Sequence, residues 1–256
     1  MIGIFDSGVG GLFVFKRLQS ALPKNSFIYL ADQAFAPYGE RTQSEIQART
    51  KKIVEFLVHK GSRLIVIACN TATLNAVNFL RKTFPVLPIV GMEPAVKPAT
   101  KRHKNIIVLG TNSTVRNRRY RTLINRYAAG KQVWHLGAPD LVRQVERGEL
   151  DDLTALKNIL SSPTQAGATA FVVGCTHFSF LTPAIQRICS GLEIFDGAEG
   201  TVAEAARQAI ALNLKDHKPT NQFFTTGASK KVSFLGQAIN LNALYPSQVT
   251  GIQCKQ

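Results

Sequence analysis

Two cysteines end two apolar runs in the same way. Cys69 lies in "VIACNTAT" (Val66 to Thr73) and Cys175 in "VVGCTHFS" (Val172 to Ser179), and each is followed at once by polar residues. In a parallel α/β sheet, ligands bind beyond the carboxyl ends of the strands, which is where both thiols are expected. Asn70 and Thr71 after the first, and Thr176 and Ser179 after the second, read as caps of the helices that follow. A helix N-terminus favours thiolate over thiol, so both cysteines are candidate bases. Two such thiols facing one another across a cleft would place a base and an acid on opposite faces of one carbon, and moving a proton from one face to the other inverts a stereocentre. A hydrolase built on Cys and His would need a single nucleophile, a general base and an oxyanion hole instead. His177, two residues after Cys175, is placed to tune that thiol or to donate a proton. Cys189 and Cys254 lack polar surroundings and read as small hydrophobes.

The elements that deliver these thiols follow from the alternation of short apolar runs with helix-period patterns, the signature of a mostly parallel sheet flanked by helices. "IGIF" is a strand, "DSGVGG" a tight turn and "LFVFKRLQSAL" a helix stopped by Pro23. "FIYLAD" is the second strand; Ile46, Ile53, Val54 and Leu57 mark a helix with Gly61 as its C-terminal cap; "RLIVIA" is the strand that leads to Cys69. The second half repeats the plan. Aligning Ile2 with Ile106 sets Ser7 against Thr111; Cys69 lies 62 residues beyond Ser7, and Cys175 lies 64 beyond Thr111. The expectation is an α/β protein of two similar domains with mostly parallel sheets, related by a pseudo-two-fold, with the active site in the cleft between them. The first domain takes residues 1–94 plus 206–256, closed by strand-like pieces in "QFFTTG" and "KVSFLG", and the second takes 95–205.

Composition narrows the function classes. The 256 residues carry four cysteines with no CxxC pair and no His/Cys cluster at metal-ligand spacing, so neither a structural zinc nor a secreted disulfide framework is expected. No window approaches the roughly 18 apolar residues of a membrane span, and a cytoplasmic location with no membrane contact is expected. The glycines of "DSGVGGL" invite a dinucleotide reading with Asp32 as the ribose acid, but Phe13 stands where the third glycine belongs. The formal charge is +15, and the stretch between Glu93 and Asp140 holds ten Lys or Arg and no acid. That window should attract anionic metabolites; nucleic acid, or a nucleic-acid enzyme docked through 94–139, is the weaker alternative partner because no aromatic platform accompanies the charge.

With "DSGVGG", "PYGERT", "ACNTAT", "GTNST" and "GCTH" in hand, the chain resembles the glutamate branch of the cofactor-independent aspartate/glutamate racemase superfamily. "GMEPAVKPA", "VERG" and "FFTTG" extend the resemblance over nearly the whole chain. It implies a two-base interconversion of L-glutamate and D-glutamate that needs no cofactor and no metal and supplies D-glutamate for peptidoglycan; the family often forms homodimers. By motif, Cys69 takes the α-proton of D-glutamate and Cys175 that of L-glutamate, with Asp6 assisting Cys69, and His177 and Glu146 assisting Cys175. The substrate contacts implied are Asp6, Ser7, Tyr38, Gly39, Asn70, Thr71, Thr111, Thr176 and His177. Phe178 and Ser179 depart from the Tyr and Pro usual after "GCTH", and Phe13 from a small hydroxyl residue. The alternatives are a racemase or decarboxylase of the same superfamily acting on another acidic substrate, or a basic binding protein.

Overall fold

The computed structural model describes residues 1–227 and 249–251. Its contacts divide the chain into two units, Met1–Met92 with the described part of Ala198–Gln256, and Glu93–Gly197. The expected "KVSFLG" strand and Cys254 lie outside the described residues.

In the first unit β1 (Ile2–Asp6), α1 (Leu12–Ala21), β2 (Phe27–Ala31), α2 (Gln43–His59), β3 (Leu64–Ile67), α3 (Asn70–Thr83) and β4 (Ile89–Gly91) follow in turn. The second unit begins with α4 (Val96–Arg102), β5 (Asn105–Gly110), α5 (Asn112–Arg116), α6 (Arg118–Tyr127) and β6 (Gln132–Gly137). It continues with α7 (Pro139–Arg147), α8 (Thr154–Gln165), β7 (Ala170–Gly174), α9 (Thr182–Ile188) and β8 (Glu193–Asp196). The chain then returns to the first unit through α10 (Ala198–Ala211), β9 (Asn221–Thr225) and β10 (Val249–Gly251). α10 is one unbroken helix packed on α1, so the return falls at its start, several residues before position 206.

Every strand pair in both sheets is parallel. The first sheet runs β10-β9-β2-β1-β3-β4 and the second β6-β5-β7-β8. The sub-order β2-β1-β3-β4 is therefore reproduced as β6-β5-β7-β8. In each unit the chain first adds a strand on one side of the central strand and then crosses to the other side. That reversal opens a crevice at the carboxyl ends of β1 and β3, and another at those of β5 and β7.

Strands buried on both faces are apolar, as β2 and β7 are throughout and β1 is up to Asp6. Alternate residues of β1, β2 and β3, such as Phe5, Ile28, Leu30, Ile65 and Ile67, pack against Ile46, Ile53, Val54 and Leu57 of α2 and Ala76, Val77 and Leu80 of α3. On the opposite face Tyr29 meets Phe15 of α1 and Phe223 of β9 edge-on or tilted. α2 starts at a capping box not anticipated above: Thr42 accepts from the Glu45 amide while the Glu45 carboxylate accepts from that of Thr42. It ends at Gly61, whose φ of +93° is the left-handed conformation that favours glycine.

Gly174 ends β7 opposite Gly110 of β5. A Cβ built on it would lie 2.8 Å from the carbonyl oxygen of Leu109, a backbone atom that cannot yield without separating the paired strands. Gly174→Ala is expected to lower unfolding stability by about 1–3 kcal/mol, read from the urea midpoint; an unshifted midpoint would refute this spacing.

Candidate active site

Register decides which side chains meet. β1 and β3 pair with Ile2 opposite Leu64 and Phe5 opposite Ile67. Just past the strands, Ser7 and Cys69, 62 residues apart, come together: the thiol donates to Ser7 Oγ at 3.5 Å. Ser7 Oγ in turn lies 3.5 Å from Asp6 Oδ1, and Asp6 Oδ1 accepts the Gly8 amide at 2.8 Å. β5 and β7 pair with Ile106 opposite Ala170 and Gly110 opposite Gly174, which carries Thr111 and Cys175 to the corresponding ends. The repeated sequence offset is thus the register of two parallel strand pairs. Asp6, Ser7, Cys69, Thr111, Cys175, Thr176 and His177 are all buried.

The two thiols, both expected at the start of a helix, have different surroundings. Cys69 is itself the N-cap of α3, its sulfur accepting the Ala72 amide at 3.4 Å. Asn70 and Thr71, expected as caps, are instead the first helical residues, because Cys69 keeps the extended conformation (φ −79°, ψ 122°) that a cap requires. A helical amide aimed at the sulfur, with the positive end of a 14-residue helix behind it, favours negative charge there. Cys175 has no such helix. The residues after it form a 3-10 turn, Thr176–Leu181, and no amide caps the sulfur. The polar residues meant to cap an α-helix are used up in that turn, and α9 begins only at Thr182.

Cys175 has an imidazole instead. His177 Nδ1 lies 3.6 Å from Sγ, and Nε2 lies 2.5 Å from Glu146 Oε1, which α7 supplies from 31 residues away. Burial alone would depress the His177 pKa. The hydrogen bonds to Cys175 and Glu146, and the charges of both, outweigh burial and hold it well above the ordinary imidazole value. The imidazolium form, a donor at both ring nitrogens, is thereby favoured. Glu146 is set by α7, whose end is fixed by Gly148 at φ +78° and by Gln144, which donates to the carbonyl of Glu149 at 2.7 Å.

Tyr38 and Gly39 lie in the 3-10 turn Tyr38–Glu40, which packs against α3. The Tyr38 hydroxyl donates to Asp32 Oδ2 at 2.7 Å, Arg49 Nε donates to the same oxygen at 2.8 Å, and Thr226 donates to Asp32 Oδ1 at 2.7 Å. Burial first, then the charge and hydrogen bond of Asp32 and the charge of Cys69, raise the Tyr38 pKa well above 10.0, so the phenol stays neutral. The sequence reading did not anticipate this network. Asp32, fully buried and spoken for on both oxygens, is a structural anchor and not a ribose ligand. Asn70 is the contrary case. It is 1% exposed, yet neither Oδ1 nor Nδ2 has a partner among the described residues. A buried amide left without partners is costly unless a ligand satisfies it.

Thr111 caps α5, accepting the Thr114 amide at 3.0 Å. Phe178 is fully buried among the core side chains of its unit, so this departure from the motif is accommodated in the core. In the basic window Arg119 pairs with Glu93 and Arg102 with Glu193, while Arg116, Arg118, Arg121 and Arg126 are exposed. Among the described residues, no group of three or more His, Cys, Asp and Glu is arranged to hold a metal ion, and no helix is long and apolar enough to cross a membrane.

Two parallel α/β units, each with a thiol at its switch point, define a class of protein. The chain belongs to the Asp/Glu/Hydantoin racemase family, whose model matches residues 10–205. It is 36% identical over 247 residues to the glutamate racemase of Clostridium perfringens, spanning 93% of this chain and 95% of the relative. Its fold is similar to a solved glutamate racemase from Bacillus anthracis, with a TM-score of 0.85 and 27% identity over 99% of this chain and 97% of the other. Escherichia coli glutamate racemase, solved with L-glutamate and the activator UDP-MurNAc-Ala, is similar at a TM-score of 0.79 and 30% identity, over 93% and 94% of the two chains.

The His177–Glu146 pair carries a pH signature. A raised imidazole pKa stabilises the folded state fully below the ordinary imidazole range, and this contribution is lost as pH rises through the raised value. Melting temperature should therefore fall more steeply above neutral pH in the wild-type chain than in His177→Asn. Parallel profiles would show that the pair is not charged.

Proposed function

We propose that this protein interconverts L-glutamate and D-glutamate by two-base proton transfer and supplies D-glutamate for peptidoglycan. The single observation that carries the reading is the placement of Cys69 and Cys175 at equivalent switch points, each with its own acid–base partners. In this reading the Cys69 thiolate takes the α-proton of D-glutamate. The electron pair left on Cα is delocalised into the substrate carboxylate, and the Cys175 thiol returns a proton to the other face. The reverse reaction begins with Cys175 as base. Asp6, through Ser7, serves Cys69, and the His177 imidazolium, held by Glu146, stabilises the Cys175 thiolate by donating from Nδ1. Ser7, Tyr38, Gly39, Asn70, Thr71, Thr111, Thr176 and His177 hold the substrate. The exposed arginines of the basic window raise the local concentration of the anionic amino acid.

The test is to incubate the purified protein with each enantiomer in heavy water and follow optical rotation and deuterium at Cα; absence of exchange sinks the proposal. Cys69→Ala and Cys175→Ala should each abolish racemisation, and Cys189→Ala should leave it near normal. Wild-type turnover in either of the first two would defeat the two-base assignment.

Asn70 separates binding from folding. Losing its substrate hydrogen bonds in Asn70→Ala should lower kcat/KM about 10–100-fold. The same change removes a buried amide without partners, so the melting temperature should fall by much less than a comparable loss of a satisfied buried group. Wild-type kcat/KM in this variant would exclude Asn70 from the substrate site.

A further inference from the structure

We infer that Tyr29 is a positioning residue for Asp6, acting through the backbone of Gly8; this rests on the two-base reading above. Tyr29 lies in the middle of β2, opposite Ile4 of β1, and is fully buried. Its ring is caged by Phe15 and Phe223, with centroids 6.1 and 6.3 Å away. Its hydroxyl donates to the carbonyl of Gly8 at 2.9 Å, across 21 residues of sequence. The amide of that same Gly8 donates to Asp6 Oδ1 at 2.8 Å. One residue thus connects the two groups: its carbonyl is pinned by the phenol and its N–H holds the carboxylate.

The rest of the turn is closed by backbone hydrogen bonds, from the Leu12 amide to the Val9 carbonyl at 3.1 Å and from the Phe13 amide to the Gly10 carbonyl at 3.3 Å. Gly11, the N-cap of α1, makes no side-chain cap hydrogen bond, and a Cβ there would lie 2.7 Å from Asp6 Cβ and 2.9 Å from the Tyr29 hydroxyl. The glycines that let the chain pass so close to Asp6 also leave it conformationally free. A buried hydrogen bond from a rigid ring, itself wedged between two aromatic side chains, removes that freedom. Tyr29 touches no reacting atom in this scheme; it sets the carboxylate that serves Cys69.

Tyr29→Phe keeps the ring and its packing and deletes only the hydroxyl. The two enantiomers are equally stable in water, so kcat/KM must fall by the same factor in both directions, here about tenfold. The discriminating readout is the α-deuterium isotope effect on kcat/KM. Slowing the Cys69 proton transfer should raise this effect for D-glutamate, whose α-proton goes to Cys69, and lower it for L-glutamate, whose α-proton goes to Cys175. Ile53→Val, a truncation in the α2 core on the other face of the sheet that leaves Tyr29, its cage and Gly8 untouched, should lower the melting temperature without changing the ratio of the two effects. An unchanged ratio in Tyr29→Phe overturns the inference, and so does a Tyr29→Phe chain that fails to fold, since the hydroxyl would then support the fold rather than the site. A wild-type chain with no α-proton exchange would instead overturn the two-base reading itself.

Discussion

The parallel pairing of β1 with β3, and of β5 with β7, is the constraint on which the chemistry rests. A parallel pair brings both strands to their carboxyl ends on the same side, and the crossover order leaves a crevice there instead of a covering loop. Ser7 and Cys69 meet because Phe5 is paired with Ile67; a slip of one residue would turn each side chain to the opposite face. Gly174 shows how tightly the second pair is held, since even a methyl group there would press on the Leu109 carbonyl.

On this shared scaffold the two thiols depend on different physics. Cys69 relies on backbone, the Ala72 amide at the start of α3 and the turn that holds Asp6. Cys175 relies on side chains, an imidazole clamped between sulfur and carboxylate. A reversible reaction between mirror-image substrates does not require mirror-image machinery. In the proposed reaction each thiol must hold negative charge in a buried setting, and a helix terminus and a hydrogen-bonded imidazole both favour such charge. In the same unit the buried Asp32 carboxylate takes hydrogen bonds from Tyr38, Arg49 and Thr226, which keeps the phenol neutral and its ring in place.

Membership of the racemase family and this asymmetry are complementary. The family match spans residues 10–205 and accounts for the paired motifs. It says nothing of how Gly8 links Tyr29 to Asp6, or why Asn70 is buried without partners. Those features follow from where three strands and two helices place side chains of ordinary type.

The sequence by itself determined the strands that lead to the two thiols and their neighbours, β1, β2, β3, β5 and β7, the helices α1 and α2, the repeat and the two thiols. These are local signals: apolar runs, helical spacing, Gly61 past a helix end, and an offset of 62 residues that equals a strand register. It also named Asp6, His177 and Glu146, through motifs rather than through any visible contact. Only the tertiary structure decided that Cys69 caps α3 while Cys175 precedes a 3-10 turn, because similar polar tails close into different helices according to what packs beneath them. Only it joined Asp32 to Arg49 and Thr226, 17 and 194 residues away, and His177 to Glu146, 31 residues away. Hydrogen bonds between distant segments leave no periodic trace in a chain; they exist only once the sheet has set the distance between them.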